Sequence, residues 1–131
     1  MARSVFPHIF SSLGLTRRGH SVRPGMFTYV DPITNASRVF IWDDAGIDDM
    51  GNVVLLEEES NGVVPLHVEG HIARLKVMLN KGESIGNVVW IVNRKDFREM
   101  LNLLRFYRSY MGPLPRMEIW SEAGTRLGHL E

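Results

Sequence analysis

Apolar positions recur along this chain with two different periods, and the switches between them mark out its elements. Val5, Ile9, Phe10 and Leu13 follow a helical spacing, with Ser4 placed to cap a helix over about 5–14, Pro7 in its first turn and Gly14 as its stop. Residues 15–25, rich in arginine and glycine, read as a loop. Met26–Val30 and 38–42 are β-branched and aromatic runs on either side of Asp31-Pro32-Ile33-Thr34-Asn35, which predicts a hairpin. The acidic stretch 43–52 reads as a connection to a third strand, Val53–Glu59, which starts apolar on both faces and ends in carboxylates. After the break at Asn61-Gly62, Val68, Ile72, Leu75 and Leu79 fall at i, i+4, i+7 and i+11 and predict a helix over about 65–81. Residues 87–92 form the almost wholly apolar run of a strand buried on both faces. Asn93 and Asp96 suggest a partial capping box for a helix to about 110, ended by Gly112-Pro113. Residues 117–120 read as a last strand, and the tail beyond is expected to be loose. The predicted order is α-β-β-β-α-β-α-β, a single α/β domain over 1–131 with a mixed sheet flanked by helices.

Composition narrows the picture without naming a function. At 131 residues, with 44% hydrophobic and 23% charged side chains, the chain has the size and make-up of one globular domain. No apolar run approaches the roughly 20 residues of a membrane span. The absence of cysteine excludes disulfide scaffolds, thiolate metal sites and thiol nucleophiles, and suits a reducing, cytoplasmic compartment. The first 25 residues lack acids and loosely resemble a transit peptide, but the helical stripe favours a structural first helix. Leu130-Glu131 has the look of a tag-junction remnant. Net charge is zero, yet charge sits in blocks: five bases against Asp31 up to residue 40, seven acids and no base over 41–60, then ten bases to seven acids.

The acidic block is where chemistry is expected. Side chains alternate along a strand, so Glu57 and Glu59 project together and Glu58 projects opposite. Paired carboxylates in such a place call for exposure or for a divalent cation, and Mg or Mn takes hard oxygen ligands of this kind. Asp43, Asp44, Asp48 and Asp49 lie in the preceding connection and would converge on the pair if that connection runs beside the third strand.

The element order, the aspartates of that connection, and the segment Asn52-Val-Val-Leu-Leu-Glu-Glu-Glu-Ser-Asn-Gly62 followed by a helix and Asn87-Val-Val-Trp-Ile-Val92 resemble the PD-(D/E)xK nuclease superfamily. Within it the chain is similar to the nuclease-like domain of replication-relaxation proteins. The resemblance implies a restriction-endonuclease-like core, Asp44 (or Asp48) and Glu57 as metal-binding acids, and Glu59 at the position of the superfamily's lysine. Metal ligands would then be Asp44, Asp48, Glu57 and Glu59, and the catalytic set Asp44, Glu57, Glu59 and Lys76, with Lys76 on the next helix replacing the missing lysine. The implied activity is Mg- or Mn-dependent hydrolysis of DNA phosphodiesters. The alternative is a catalytically inert nucleic-acid- or protein-binding module of a replication or mobile-element system.

Two further patterns stand outside that set. His67 and His71 have the i, i+4 spacing of a helical metal pair but lack a third ligand in sequence. Arg94, Arg98, Arg105 and Arg108 fall within about 80° on a helix and form a basic stripe suited to a phosphate backbone, which Arg17 and Arg18 would extend. DNA is the expected partner, with a homodimer or a replication or mobilisation protein also considered, and no membrane. A pure protein-interaction surface around Tyr110, Met111 and Trp120 is the remaining reading.

Overall fold

In the computed structural model, which describes residues 5–19 and 23–131, the two apolar runs of the sequence lie side by side at the centre of a six-stranded sheet. Arg3, Ser4 and His20 lie outside the described residues. The elements are α1 (Phe6–Leu13), β1 (Thr16–Arg17), β2 (Met26–Val30), β3 (Ser37–Ile41), β4 (Asp44–Ile47), β5 (Val53–Glu59), α2 (Pro65–Asn80), β6 (Ile85–Val92), α3 (Phe97–Met111), β7 (Arg116–Ser121) and β8 (Arg126–Leu130). The main sheet runs β1-β4-β5-β6-β7-β8, with β5, β6 and β7 parallel and the flanking strands antiparallel. No helix among the described residues is long and apolar enough to cross a membrane.

The two parallel crossovers step in one direction, so α2 and α3 cover the same face. There Leu55, Val88, Trp90 and Ile119 meet Val68, Ile72, Leu75, Met100 and Leu104. The opposite face, built from Val54, Leu56, Val89, Ile91 and Trp120, is covered by Val5, Phe6 and Ile9 of the α1 region. Since alternate residues of β5 and β6 serve opposite layers, both strands must be apolar throughout, which is the run pattern seen in sequence. Each such fully buried aliphatic side chain contributes about 1.5–3 kcal/mol.

The mixed α/β sheet with helices on both faces matches the expectation, but the element order does not. It is α-β-β-β-β-β-α-β-α-β-β rather than α-β-β-β-α-β-α-β. The β2–β3 hairpin forms as expected but stands as a separate two-stranded sheet. Its partner in sequence, the acidic connection, contains the short strand β4 instead. Aspartates at 44 and 48 and the glycine at 46 hide that strand, although Gly46 is needed there: a Cβ would meet the Phe10 ring at 3.0 Å. The loop after α1 contributes the two-residue β1, and the tail pairs with β7 as β8 rather than lying loose. Asn93 does not cap a helix with its side chain. Its amide donates to the Ser60 carbonyl, and a 3₁₀ turn over Arg94–Asp96 precedes α3.

Candidate metal centre

The carboxyl end of β5 brings its glutamates to α2. Glu57 and Glu59 stand opposite Trp90 and Val92 of β6, on the face that α2 covers. Both are buried, each 7% exposed. Two turns into α2, His71 turns its ring toward them, and its Nε2 lies 3.0 Å from a carboxylate oxygen of Glu57. One ligand atom from each of Glu57, Glu59 and His71 falls within 4.8 Å of the others. Trp42 meets the His71 ring edge-on at 4.8 Å, and Trp90 does so at 6.4 Å. The histidine is thus held by indoles on its apolar side and by acids on its polar side.

Hydrogen bonding fixes which nitrogen serves the acids. His71 Nδ1 lies 2.9 Å from the His67 carbonyl, which only accepts, so Nδ1 carries a proton and donates it. Nε2 then meets Glu57 either as a second N–H of an imidazolium or with its lone pair turned to a cation shared with the carboxylate. The same backbone bond is the usual orienting contact of a metal-bound histidine. Burial lowers the His71 pKa, but the hydrogen bond and charge of Glu57 and the His67 carbonyl outweigh it, and the net shift is upward. The Glu59 carboxyl is raised by burial and by the adjacent Glu57 charge.

The distances suit a cation. Two ligands at right angles on bonds of about 2.1 Å stand about 3.0 Å apart, the Glu57–His71 separation, and opposite ligands about 4.2 Å apart. A spread within 4.8 Å therefore needs an inward movement of about half an ångström. An imidazole beside two carboxylates fits Mn²⁺ or Zn²⁺ better than Mg²⁺, which takes oxygen ligands almost alone.

These groups open into a cleft of about 270 Å³ whose charged lining is Asp43, Glu57, Glu58, Glu59, His67 and His71, with no lysine or arginine among the described residues. Asp43 ties it together. Its backbone N–H donates to Glu57 Oε1 at 3.1 Å, and its Oδ2 accepts from the Glu58 N–H at 2.8 Å.

Several residues singled out in sequence lie elsewhere. Asp44 pairs with Leu56, whose side chain packs on the α1 face, and it lines a pocket with Phe6, Phe10 and Arg17 on that opposite side of the sheet. Asp48 sits at the far end of β4, about 13 Å along the strand at 3.3 Å per residue, where its Oδ1 accepts from the Met50 and Asn52 N–H groups. Lys76 reaches away from the acids and donates to the Pro113 carbonyl at 3.3 Å. The expected set Asp44, Asp48, Glu57, Glu59 and Lys76 is therefore not brought together; Glu57 and Glu59 are, with His71 and Asp43 in the other places.

The arginines also divide. Arg98 and Arg105 are exposed on α3, and Arg94 is exposed in the 3₁₀ turn before it. Arg108 bends back to donate to the Pro115 carbonyl. Arg18 is a clamp: it donates to the Pro24 and Met26 carbonyls, each at 3.1 Å, and its guanidinium sits 3.8 Å over the Phe27 ring. Trp120 is no interaction surface, since it is 5% exposed and its indole N–H donates to Glu118 at 2.8 Å.

His71 was within reach of sequence reasoning as half of the His-x-x-x-His pair; the missing step was that its co-ligands come from β5, with His67 serving through its backbone carbonyl instead of its ring. Asp43 was masked by its neighbour Asp44, because a shift of one residue decides which face of a strand a side chain serves. Compared with known proteins, the chain matches no family model and no curated protein sequence. Its chemistry is read from the site.

Proposed function

We propose that this domain binds a divalent transition metal through Glu57, Glu59 and His71 and acts on nucleic-acid phosphodiesters as a nuclease-like hydrolase. The observation that supports it most is the convergence of two buried carboxylates and one imidazole whose Nδ1–H is already committed to a backbone carbonyl. A metal bound there would polarise a phosphoryl oxygen and lower the pKa of a bound water. Glu57, held by the Asp43 N–H, and His71, held by the His67 carbonyl, would fix the ligand geometry. Glu59 would complete the ligand set from the same face of the strand as Glu57.

A second reading is favoured by one observation. No lysine or arginine lines the cleft among the described residues, and Lys76 is engaged at Pro113. Without a basic side chain beside the metal to meet the charge that develops on phosphate, the centre would bind metal and nucleic acid without cleaving.

Calorimetric titration of Mn²⁺ into wild type, Glu57→Gln, Glu59→Gln and His71→Ala, followed by incubation with plasmid and single-stranded DNA, separates the readings. Metal binding lost in the variants together with wild-type cleavage supports hydrolysis. Metal binding without cleavage supports the inert module. No metal binding by the wild type overturns both forms of the metal reading.

A further inference from the structure

The outer side of α3 carries a feature the metal centre does not use. Phe106 and Tyr110, one helical turn apart, are 57% and 79% exposed. Their rings are nearly parallel, 13° between planes and 5.8 Å between centroids. Tyr107, itself buried, meets Phe106 edge-on at 5.4 Å. Phe106 thus meets two rings, one of them buried, while Tyr110 meets only the Phe106 ring among the described residues. The result is an exposed aromatic step with a free ring face on Tyr110.

Its surroundings are basic and polar rather than apolar. At about 100° per residue, Arg98 and Arg105 occupy the arc next to Phe106, with Asn102 and Ser109 between them and the rings. Arg94, Arg98 and Arg105 are exposed, and none forms a salt bridge among the described residues. Glu99, the one acid within α3, falls on the arc of the two rings about two turns before Phe106, and the arginines occupy the neighbouring arc. A protein interface centred on two aromatics would be expected to have an apolar border; stacked rings bordered by unneutralised guanidinium groups match the needs of a base and its phosphates. The helix also starts at the metal cleft, because the Asn93 side chain bonds to Ser60 on the cleft wall. From Phe97 to Tyr110 the helix spans about 20 Å at 1.5 Å per residue.

We infer that this face of α3 binds single-stranded nucleic acid, one base stacking on the open face of Tyr110 and the backbone running past Arg105 and Arg98 toward the cleft. An unpaired strand is required because only an unstacked base exposes its ring to a side chain. The inference names the substrate form of the proposed phosphodiester site and rests on that reading for the strand's direction. Binding itself needs no metal.

The test is fluorescence anisotropy of a labelled oligothymidine, and of a duplex of equal length, with the full chain in EDTA at low and moderate salt. Wild type is expected to prefer the single strand and to weaken steeply with salt. Tyr110→Ala should lose about ten- to a hundredfold in affinity, the range for one stacked base, and Tyr110→Phe should retain it. Arg98→Ala with Arg105→Ala should flatten the salt dependence. These positions are exposed, so circular dichroism should show unchanged folding. Equal or tighter duplex binding, or no effect of Tyr110→Ala, overturns the inference. So does absence of binding to either oligonucleotide, and since no metal is present that result leaves the metal reading standing. Self-association in sedimentation that Tyr110→Ala abolishes, without oligonucleotide binding, makes the face a protein interface instead.

Discussion

Nε2 of His71 and a carboxylate oxygen of Glu57 stand 3.0 Å apart, with the Trp42 indole edge-on to the imidazole and Nδ1 bound to the His67 carbonyl. With no cation present, this pair holds a proton: the folded state keeps His71 charged above its ordinary pKa of 6.5. The stability that pair supplies is complete below the unfolded value and is lost as pH rises through the folded one. Glu59, whose carboxyl is raised above its usual 4.5, acts in the same direction over a more acidic range. Metal-free protein should therefore lose thermal stability as pH rises above the ordinary histidine value of 6.5. Thermal melts across that range check it: the slope should shrink in His71→Gln, and an unchanged slope would show that the pair carries no such linkage.

Metal should take the place of those protons. Mn²⁺ at a hundredfold excess over its dissociation constant is expected to stabilise the fold by about 2.7 kcal/mol and to release protons on binding. Affinity should fall as pH drops, because His71 and Glu59 must both be deprotonated to ligate. Glu59→Gln is expected to weaken binding by at least tenfold, and Lys76→Ala, engaged at Pro113, to leave it unchanged. Quenching of Trp42, whose ring lies 4.8 Å from His71, offers a direct optical readout with paramagnetic ions. Equal affinity in Glu59→Gln and wild type would place the metal elsewhere.

The central layers were legible because their physics is local. The helical stripe of 68, 72, 75 and 79 and the unbroken apolar run ending at Val92 encode burial on one face and on two, and both elements stand where the pattern put them. The edge strands were not legible, since β4 has only Asp44, Ala45, Gly46 and Ile47 and owes its existence to pairing with β5 and to Phe10 lying over Gly46. The centre was half legible. Strand alternation put Glu57 and Glu59 together, but bringing in His71 depends on the angle at which α2 crosses β5, which no spacing in sequence states.

Arg18 illustrates a charge whose role reversed on folding. It was expected in a nucleic-acid footprint, but its guanidinium is spent on two carbonyls and the Phe27 face. Arg18→Ala should cost about 1–3 kcal/mol in urea unfolding and leave oligonucleotide affinity unaltered, with Arg18→Lys rescuing only part because an ammonium can donate to the two carbonyls but cannot lie flat over the Phe27 ring. A drop in affinity without loss of stability would return Arg18 to the footprint.

Glu118 anchors the other end of the sheet. It is 3% exposed and accepts from the Asn87 amide and Arg116 at 3.2 Å each and from the Trp120 indole at 2.8 Å. Removing it strands the buried Asn87 and Trp120 donors and takes one of two acidic partners from Arg116. Glu118→Ala should destabilise the protein by about 3–5 kcal/mol, with Glu118→Gln milder because it keeps an acceptor. The midpoint of urea unfolding measures both, and a cost under about 1 kcal/mol for the alanine variant would mean that water replaces the carboxylate.

Gly25 joins stability to the metal centre. Its carbonyl accepts from the Trp42 N–H at 2.8 Å, and a Cβ at this position would sit 2.1 Å from the Trp42 carbonyl oxygen. That oxygen belongs to rigid backbone, so no side-chain rotation relieves the clash; Trp42 must move. Trp42 is the wall against His71, and the next residue, Asp43, orders Glu57 and Glu58. Gly25→Ala should therefore cost at least the 1–3 kcal/mol of an overpacked core and also weaken Mn²⁺ binding, although residue 25 touches no ligand. Gly51→Ala, at a turn with open space around it but a backbone φ of 82°, is the control: it should lose stability through strain while leaving metal affinity intact. If both variants weaken metal binding in proportion to lost stability, the effect is general loosening; if Gly25→Ala alone does so, Trp42 is the link between the hairpin and the centre.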